Sequence, residues 1–138
     1  MNIRKVVLLL PYDENLNVLF QNRKKILKQY KKDYGFFGGG IEEGETVEQA
    51  LTREILEELG IDLKTLEKLE FFKKFSFKSK ELGKGLELNL FLCKMPPIEK
   101  IECKEGEPEI INLSKIINLN ISPWDKEMLL EIQKYLLK

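Results

Sequence analysis

Gly38-Gly39-Gly40-Ile41-Glu42-Glu43-Gly44-Glu45-Thr46-Val47-Glu48-Gln49-Ala50-Leu51-Thr52-Arg53-Glu54-Ile55-Leu56-Glu57-Glu58-Leu59-Gly60-Ile61 is the most informative segment of the 138-residue chain. Its three successive glycines permit backbone conformations and close approaches that side chains would block, so the segment opens as a loop made for a close encounter. Thr46 then starts a helix, with Gln49 placed to return a capping-box hydrogen bond and Glu45 and Glu48 near the positive end of the helix dipole. Val47, Ala50, Leu51, Ile55 and Leu59 form the buried stripe, and Gly60 supplies a left-handed cap. Glu54, Glu57 and Glu58 are related by i, i+3 and i+4, which stacks three carboxylates on one helix face about 5 to 6 Å apart. Such charges repel. A glutamate-rich face is ordinarily solvated surface, and Arg53 offers only one compensating charge. Hard divalent cations take oxygen ligands and keep positions for water or phosphate, so helix and glycines together read as a phosphate-and-metal site.

Outward from this segment, Lys5 to Leu10 and Asn17 to Asn22 are apolar runs separated by Pro11, Tyr12, Asp13, Glu14 and Asn15, the pattern of two paired strands. Arg23 to Tyr34 carries Arg23, Lys24, Lys25, Lys28, Lys31 and Lys32, a solvated basic stretch or a lure for polyphosphate. Beyond the helix, Leu66 to Phe77 and Leu86 to Cys93 alternate in part and predict a long hairpin across Lys80 to Gly85. Ile98 to Cys103 and Ile110 to Leu113 predict short strands, and Pro123 to Leu137 a final amphipathic helix. The expectation is an α/β chain with a mixed sheet and at least two helices, forming one domain over residues 1–138.

Composition narrows the chemistry. The chain is 43% hydrophobic and 33% charged, as folded proteins are. Lys+Arg and Asp+Glu both number 23, so no global positive field exists to coat nucleic acid. With no histidine anywhere, Ser-His-Asp and Cys-His catalysis and histidine-bound zinc are excluded. Cys93 and Cys103 are not in a C-x-x-C arrangement and read as small hydrophobes in strands. Val6 to Leu10 is far too short to span a membrane, and no signal-type cleavage site follows it. A cytoplasmic protein is expected.

Gly39, then Glu45, then Arg53-Glu54-aliphatic-x-Glu57-Glu58-x-Gly60-aliphatic resembles the Nudix box, residues 39–61, at every defining position, and the remainder resembles a minimal Nudix domain more loosely. The resemblance implies a Nudix-type α/β/α sandwich and a hydrolase in which water attacks phosphorus in a nucleoside diphosphate linked to another group. It implies Mg²⁺ or Mn²⁺ held by Glu57, Glu58 and Glu54 with the Gly38 carbonyl, Glu45 and Arg53 orienting the carboxylates, and Glu54 or Glu58 as general base. A further ligand is expected from Lys104-Glu105-Gly106-Glu107-Pro108, where alignment selects Glu105 and leaves Glu107 and Glu109 as rivals. The proline of ADP-ribose enzymes, the tyrosine of dinucleoside polyphosphate enzymes and the Ser-Gln-Pro-Trp-Pro signature of NADH pyrophosphatases are absent.

What remains resembles the MutT-like, 8-oxo-dGTP diphosphatase-type group, which hydrolyses nucleoside triphosphates to monophosphate and pyrophosphate and often acts on oxidised purines. In that group the base lies between an aromatic residue ahead of the glycines, here Phe36, and a polar residue near the last helix, here Asp125. Arg23 falls where a phosphate or base contact is common, and Gly39 faces the same space. Phe36 as plain core and Asp125 as a first-turn capping acid are the alternative readings. The implied partner is a small-molecule nucleotide, acted on by a monomer or homodimer away from membranes, with RNA 5′ ends the one nucleic-acid substrate to weigh. Rivals are a Nudix hydrolase of RNA 5′ ends, ADP-ribose or a nucleotide sugar, and a non-catalytic nucleotide-binding module.

Overall fold

A computed structural model describes residues 2–24, 32–80, 83–104 and 106–138. The run Val6 to Leu10 is apolar at every position because it lies in β1 (Ile3–Tyr12), the middle strand of the sheet. Val6, Leu8 and Leu10 face one core, and Val7 and Leu9 face the other. A strand covered on both faces needs no polar alternation. Asp13 organises the following turn: its carboxylate accepts from the amides of Asn15 and Asn17, both at 2.9 Å, and the chain returns as β2 (Asn17–Asn22).

β1 and β2 pair at Tyr12 and Val18, then part, and the gap is filled by the glycine segment. Expected as a loop, it forms the strand β4 (Phe37–Gly40), antiparallel to β1 from Val6↔Gly40 to Leu9↔Phe37. The reason is non-local: glycine has no side-chain pattern to announce a strand, but its bare backbone fits against β1. β3 (Tyr34–Gly35) pairs with β2, so the backbone changes partner at Phe36.

On the other edge of β1 lies β6 (Lys84–Lys94), parallel to it throughout. β5 (Glu70–Ser79) pairs antiparallel with β6, as the hairpin reading expected, with an irregularity between Phe71 and Lys73. It starts later than the sequence pattern indicated because, after a 3₁₀ turn at Leu63–Thr65 N-capped by Asp62, the chain turns again at Glu67 and Lys68, the latter at φ 53°. A second 3₁₀ turn, Ile98–Lys100, replaces the strand expected over Ile98 to Cys103, so Cys103 is not in a strand. β7 (Glu107–Asn112) pairs with β2. The sheet is mixed and, among the described residues, seven-stranded.

The helices cover the two faces. α1 (Val47–Leu59) packs Ala50, Leu51, Ile55 and Leu59 with Val7, Leu9, Leu19 and Phe37. The short α2 (Leu113–Ile116) and α3 (Pro123–Leu136) place Leu113, Ile116, Met128, Leu129 and Ile132 against Leu8, Leu10, Phe20 and Leu90. This is the α/β/α sandwich expected. No helix among the described residues is long and apolar enough to cross a membrane.

Candidate active site

The start of α1 is fixed by both halves of a capping box: the Gln49 amide donates to Thr46 Oγ1 at 3.1 Å and the Thr46 amide to Gln49 Oε1 at 2.9 Å. Gly60 ends the helix at φ 65°. With both ends set, the turn containing Arg53, Glu54, Glu57 and Glu58 is aimed at β4.

Arg53 is the hub of this turn. Its Nε and Nη2 donate to the two oxygens of Glu45 at 2.7 and 2.8 Å, its Nη1 to Glu54 at 2.8 Å, and Nη2 also to the Gly40 carbonyl at 3.1 Å. Glu57 lies 3.6 Å and Glu42 3.8 Å from Nη1. Glu45 Oε1 additionally accepts from the Glu42 amide at 2.8 Å. The Arg53 hydrogen bonds, helped by that amide, hold the Glu45 carboxyl down at about 2, and Glu45 in turn raises Arg53 above its ordinary value. Paired acceptors on a planar guanidinium also fix its orientation.

The glycines meet the glutamates directly. The Gly38 amide donates to Glu58 Oε2 at 2.8 Å, which satisfies a carboxylate only 9% exposed. A Cβ on Gly39 would stand 2.6 Å from Glu54 Cδ, and one on Gly38, where φ is +141°, would collide with the Val7 carbonyl. Gly39 is therefore a cradle for the Glu54 carboxylate, and Gly38 is required by the pairing with β1. The sequence pointed to the Gly38 carbonyl as a ligand; the group that meets the glutamates is its amide.

Among the described residues no three acidic or cysteine side chains are gathered as a metal-holding set. Glu54 and Glu57 lean on Arg53 while Glu58 turns to Gly38, so the three expected carboxylates share a helix face but point to different partners. Their i, i+3, i+4 spacing keeps them neighbours on that face. All are hard oxygen donors, and the donor set fits magnesium or manganese better than softer ions. Glu105 lies outside the described residues, as do Lys25, Lys28 and Lys31 of the basic stretch. Of its rivals, Glu107 is exposed at the start of β7, while Glu109 accepts from Asn22 Nδ2 at 3.0 Å and Tyr34 Oη at 3.4 Å and so ties β7 to β2 and β3.

Gly35 to Gly40 leads from this cluster to a second one. Phe36 is buried, edge-on to Phe20 with ring centroids 5.1 Å apart. Arg23 lies broadside across Gly35, donating from Nε to Gln21 Oε1 at 2.9 Å and from Nη2 to the Phe36 carbonyl at 3.3 Å. Asp125 is the third residue of α3, behind the N-cap Ser122 whose Oγ accepts from its amide at 3.2 Å. It is half-buried by accessible surface yet enclosed enough that desolvation pushes its carboxyl up to about 6, against the opposing effects of Ser122 and the Arg23 charge. Trp124 packs against the adjoining core.

Gln21, a polar residue only 3% exposed beside the apolar run Val18 to Phe20 of β2, and Gly35 escape the reading of the sequence alone. The interrupted apolar run at Phe20-Gln21 is the available signal. A separate concavity of about 150 Å³ lies at the far end of α1, between Gly60, Leu66, Lys94 and Pro97, away from both clusters. Cys93 is buried, which raises its thiol to about 12 and leaves it inert.

Residues 2–130 match the NUDIX domain, and the chain belongs to the Nudix hydrolase family. It is 31% identical over 106 residues to the oxidized purine nucleoside triphosphate hydrolase of Danio rerio, covering 73% of this chain and 66% of that protein. It is 28% identical over 128 residues to the mouse (Mus musculus) protein of the same name, covering 87% and 80%. A solved MutT protein from Methanosarcina mazei superposes with a TM-score of 0.77 over 99% of this chain and 96% of that one at 15% identity, a likeness of fold.

Proposed function

We propose that this chain is a divalent-cation-dependent nucleotide pyrophosphohydrolase acting on purine, including oxidised purine, nucleoside triphosphates, in the cytoplasm, as a monomer or homodimer. The observation that carries the reading is the joint seating of the glutamates: Arg53 bridges Glu45 and Glu54 while Gly39 and Gly38 receive Glu54 and Glu58. A merely solvated acidic face has no use for two carboxylates packed against bare backbone. The names of the two vertebrate relatives support the purine triphosphate.

In this reading Glu54, Glu57 and Glu58, with the Gly38 carbonyl and Glu105, hold Mg²⁺ or Mn²⁺. The bound cation supplies neutralisation of phosphate charge and a more acidic water. Glu54 or Glu58 takes the proton from the attacking water as its oxygen bonds to phosphorus, and the P–O bond to pyrophosphate breaks, leaving the nucleoside monophosphate. Arg53, held by Glu45, fixes the Glu54 carboxylate for that task. Phe36 backs the base-side wall, Arg23 contacts the substrate there, and Asp125 reads the edge of the base, where a mismatched ring would leave it unpaired.

A panel of purine and oxidised-purine triphosphates, ADP-ribose, a nucleotide sugar and triphosphorylated RNA, assayed with and without Mg²⁺, tests this. Pyrophosphate release from the purine triphosphates at the highest kcat/KM is expected. Preference for another diphosphate would replace the substrate, and binding without turnover would leave a nucleotide-binding module.

A further inference from the structure

The third glycine of β4 differs from the two before it. Among the described residues, a Cβ at Gly40 would meet Arg4 Nη2 at 3.9 Å and the Lys5 carbonyl at 4.0 Å, both ordinary contacts, and Gly40 is not at positive φ. Neither the pairing with β1 nor the seating of a glutamate asks for a glycine there, as they do at Gly38 and Gly39, so the bare backbone leaves room in front of Arg4. We propose that Arg4 binds the two distal phosphates of a nucleoside triphosphate and so sets a preference for triphosphates over other nucleoside diphosphate derivatives. This rests on the nucleotide reading above and adds which residue recognises the pyrophosphate part of the substrate.

Position and charge both support this. Arg4 lies in β1, where Val6 stands across from Gly40. By the alternation of a strand, Arg4 shares a face with Val6 and Leu8, the face that packs with Phe36, while Lys5 shares the opposite face with Val7 and Leu9. The Gly40 carbonyl accepts from Arg53, so this residue belongs to the glutamate end of β4. A substrate with its base beside Phe36 and its scissile phosphate at the glutamates would carry the rest of its phosphate chain past Gly40, to Arg4. A triphosphate arriving there meets the like charge of Glu42, Glu45, Glu54 and Glu57. Arg53 is poorly placed to offset it, because its donors are spent on Glu45, Glu54 and the Gly40 carbonyl. Arg4 is exposed, and no hydrogen bond or ion pair ties its guanidinium to another residue, so its donors are available. A guanidinium is weakly hydrated and takes phosphate oxygens through two parallel N–H bonds. ADP-ribose or a nucleotide sugar would present a neutral ring at the same place and forgo that contact.

The test is steady-state kinetics, with magnesium present, on the wild type, Arg4→Gln, Arg4→Lys and Lys5→Gln, with a purine nucleoside triphosphate as substrate and pyrophosphate and the purine nucleoside monophosphate as inhibitors. Arg4→Gln should lower kcat/KM about tenfold or more and weaken inhibition by pyrophosphate by a similar factor, as loss of a charge-assisted contact does, while inhibition by the monophosphate changes less than about twofold. Arg4→Lys keeps the charge but gives up the paired geometry, and should fall between the wild type and Arg4→Gln. Lys5→Gln makes the same change of charge on the other face of β1 and should alter pyrophosphate inhibition less than about twofold. Unaltered pyrophosphate inhibition in Arg4→Gln, equal weakening of both inhibitors, or the same loss in Lys5→Gln would overturn the proposal, the last by reducing the effect to overall charge. A wild type that turns over no nucleoside triphosphate would remove the nucleotide reading itself, and this proposal with it.

Discussion

Glu45 and Asp125 are carboxylates with opposite fates, and the difference lies in what surrounds each. Glu45 receives three donors, and its carboxyl sits at about 2 against 4.5 for an unhindered glutamate. Because the folded value is depressed, its stabilising effect is present above about pH 4.5 and is lost as the pH falls toward 2. Glu45→Gln should lower kcat about tenfold by loosening Arg53 and Glu54, and the gap in Tm between wild type and variant should close on acidification through that window. Asp125 runs the other way: its folded value is raised to about 6 from 3.8, so folding favours its protonated form and stability declines as pH rises from about 4 through 6. The cost of the charged form at pH 8 is at most about 3 kcal/mol and smaller to the extent that solvent reaches the carboxyl. Asp125→Asn should therefore raise Tm at pH 8, show no gain near pH 4, and weaken purine nucleotide binding. Thermal melts across about pH 2 to 8 check both variants.

Two neighbouring glycines of β4 separate structure from function at the scale of an element. An added Cβ at Gly38 meets backbone, the Val7 carbonyl, at a positive φ, and Gly38→Ala should cost about 2 kcal/mol or more of stability. At Gly39 the Cβ meets the mobile end of Glu54, so Gly39→Ala should leave Tm within about 3 °C while lowering kcat on the order of a hundredfold. Equal losses of stability in both would mean that Gly39 serves only the strand. α1 is legible in the sequence because its signals are local: Thr46 with Gln49 at one end, Gly60 at the other, and the aliphatic stripe between. β4 is not, since glycines carry no alternation and the pairing that makes them a strand comes from residues some thirty positions earlier. Gln21 is hidden for a related reason: within an apolar strand, one glutamine does not show whether it faces solvent or is buried against an arginine. The long β5–β6 hairpin is visible as two alternating runs, but its first residues are not, because Leu66 and Leu69 are apolar for packing into the α1-side core while a turn at Glu67 and Lys68 keeps this stretch out of the strand.

At the scale of the molecule, two apolar layers share one sheet, and β1 contributes to both. Leu9→Ala in the α1-side core and Leu10→Ala in the α3-side core should each cost about 2 to 5 kcal/mol, and each should shift a single cooperative transition, as expected of one domain. Two separable transitions would show that the layers melt independently. The same sheet carries both functional clusters: Gly35 to Gly40 lies against Arg23 at one end and Arg53, Glu54 and Glu58 at the other, so base recognition and phosphate chemistry are joined by six residues of backbone. The central claim is that the glutamates of α1 are seated to take up hard cations. Mn²⁺ binding by titration calorimetry on the wild type and on Glu57→Gln/Glu58→Gln, with circular dichroism to confirm the fold, tests it most directly. Uptake by the wild type at millimolar levels or tighter, with affinity reduced at least about tenfold in the folded double variant, is the expected result; unchanged affinity in that variant, or no uptake by the wild type, would contradict it.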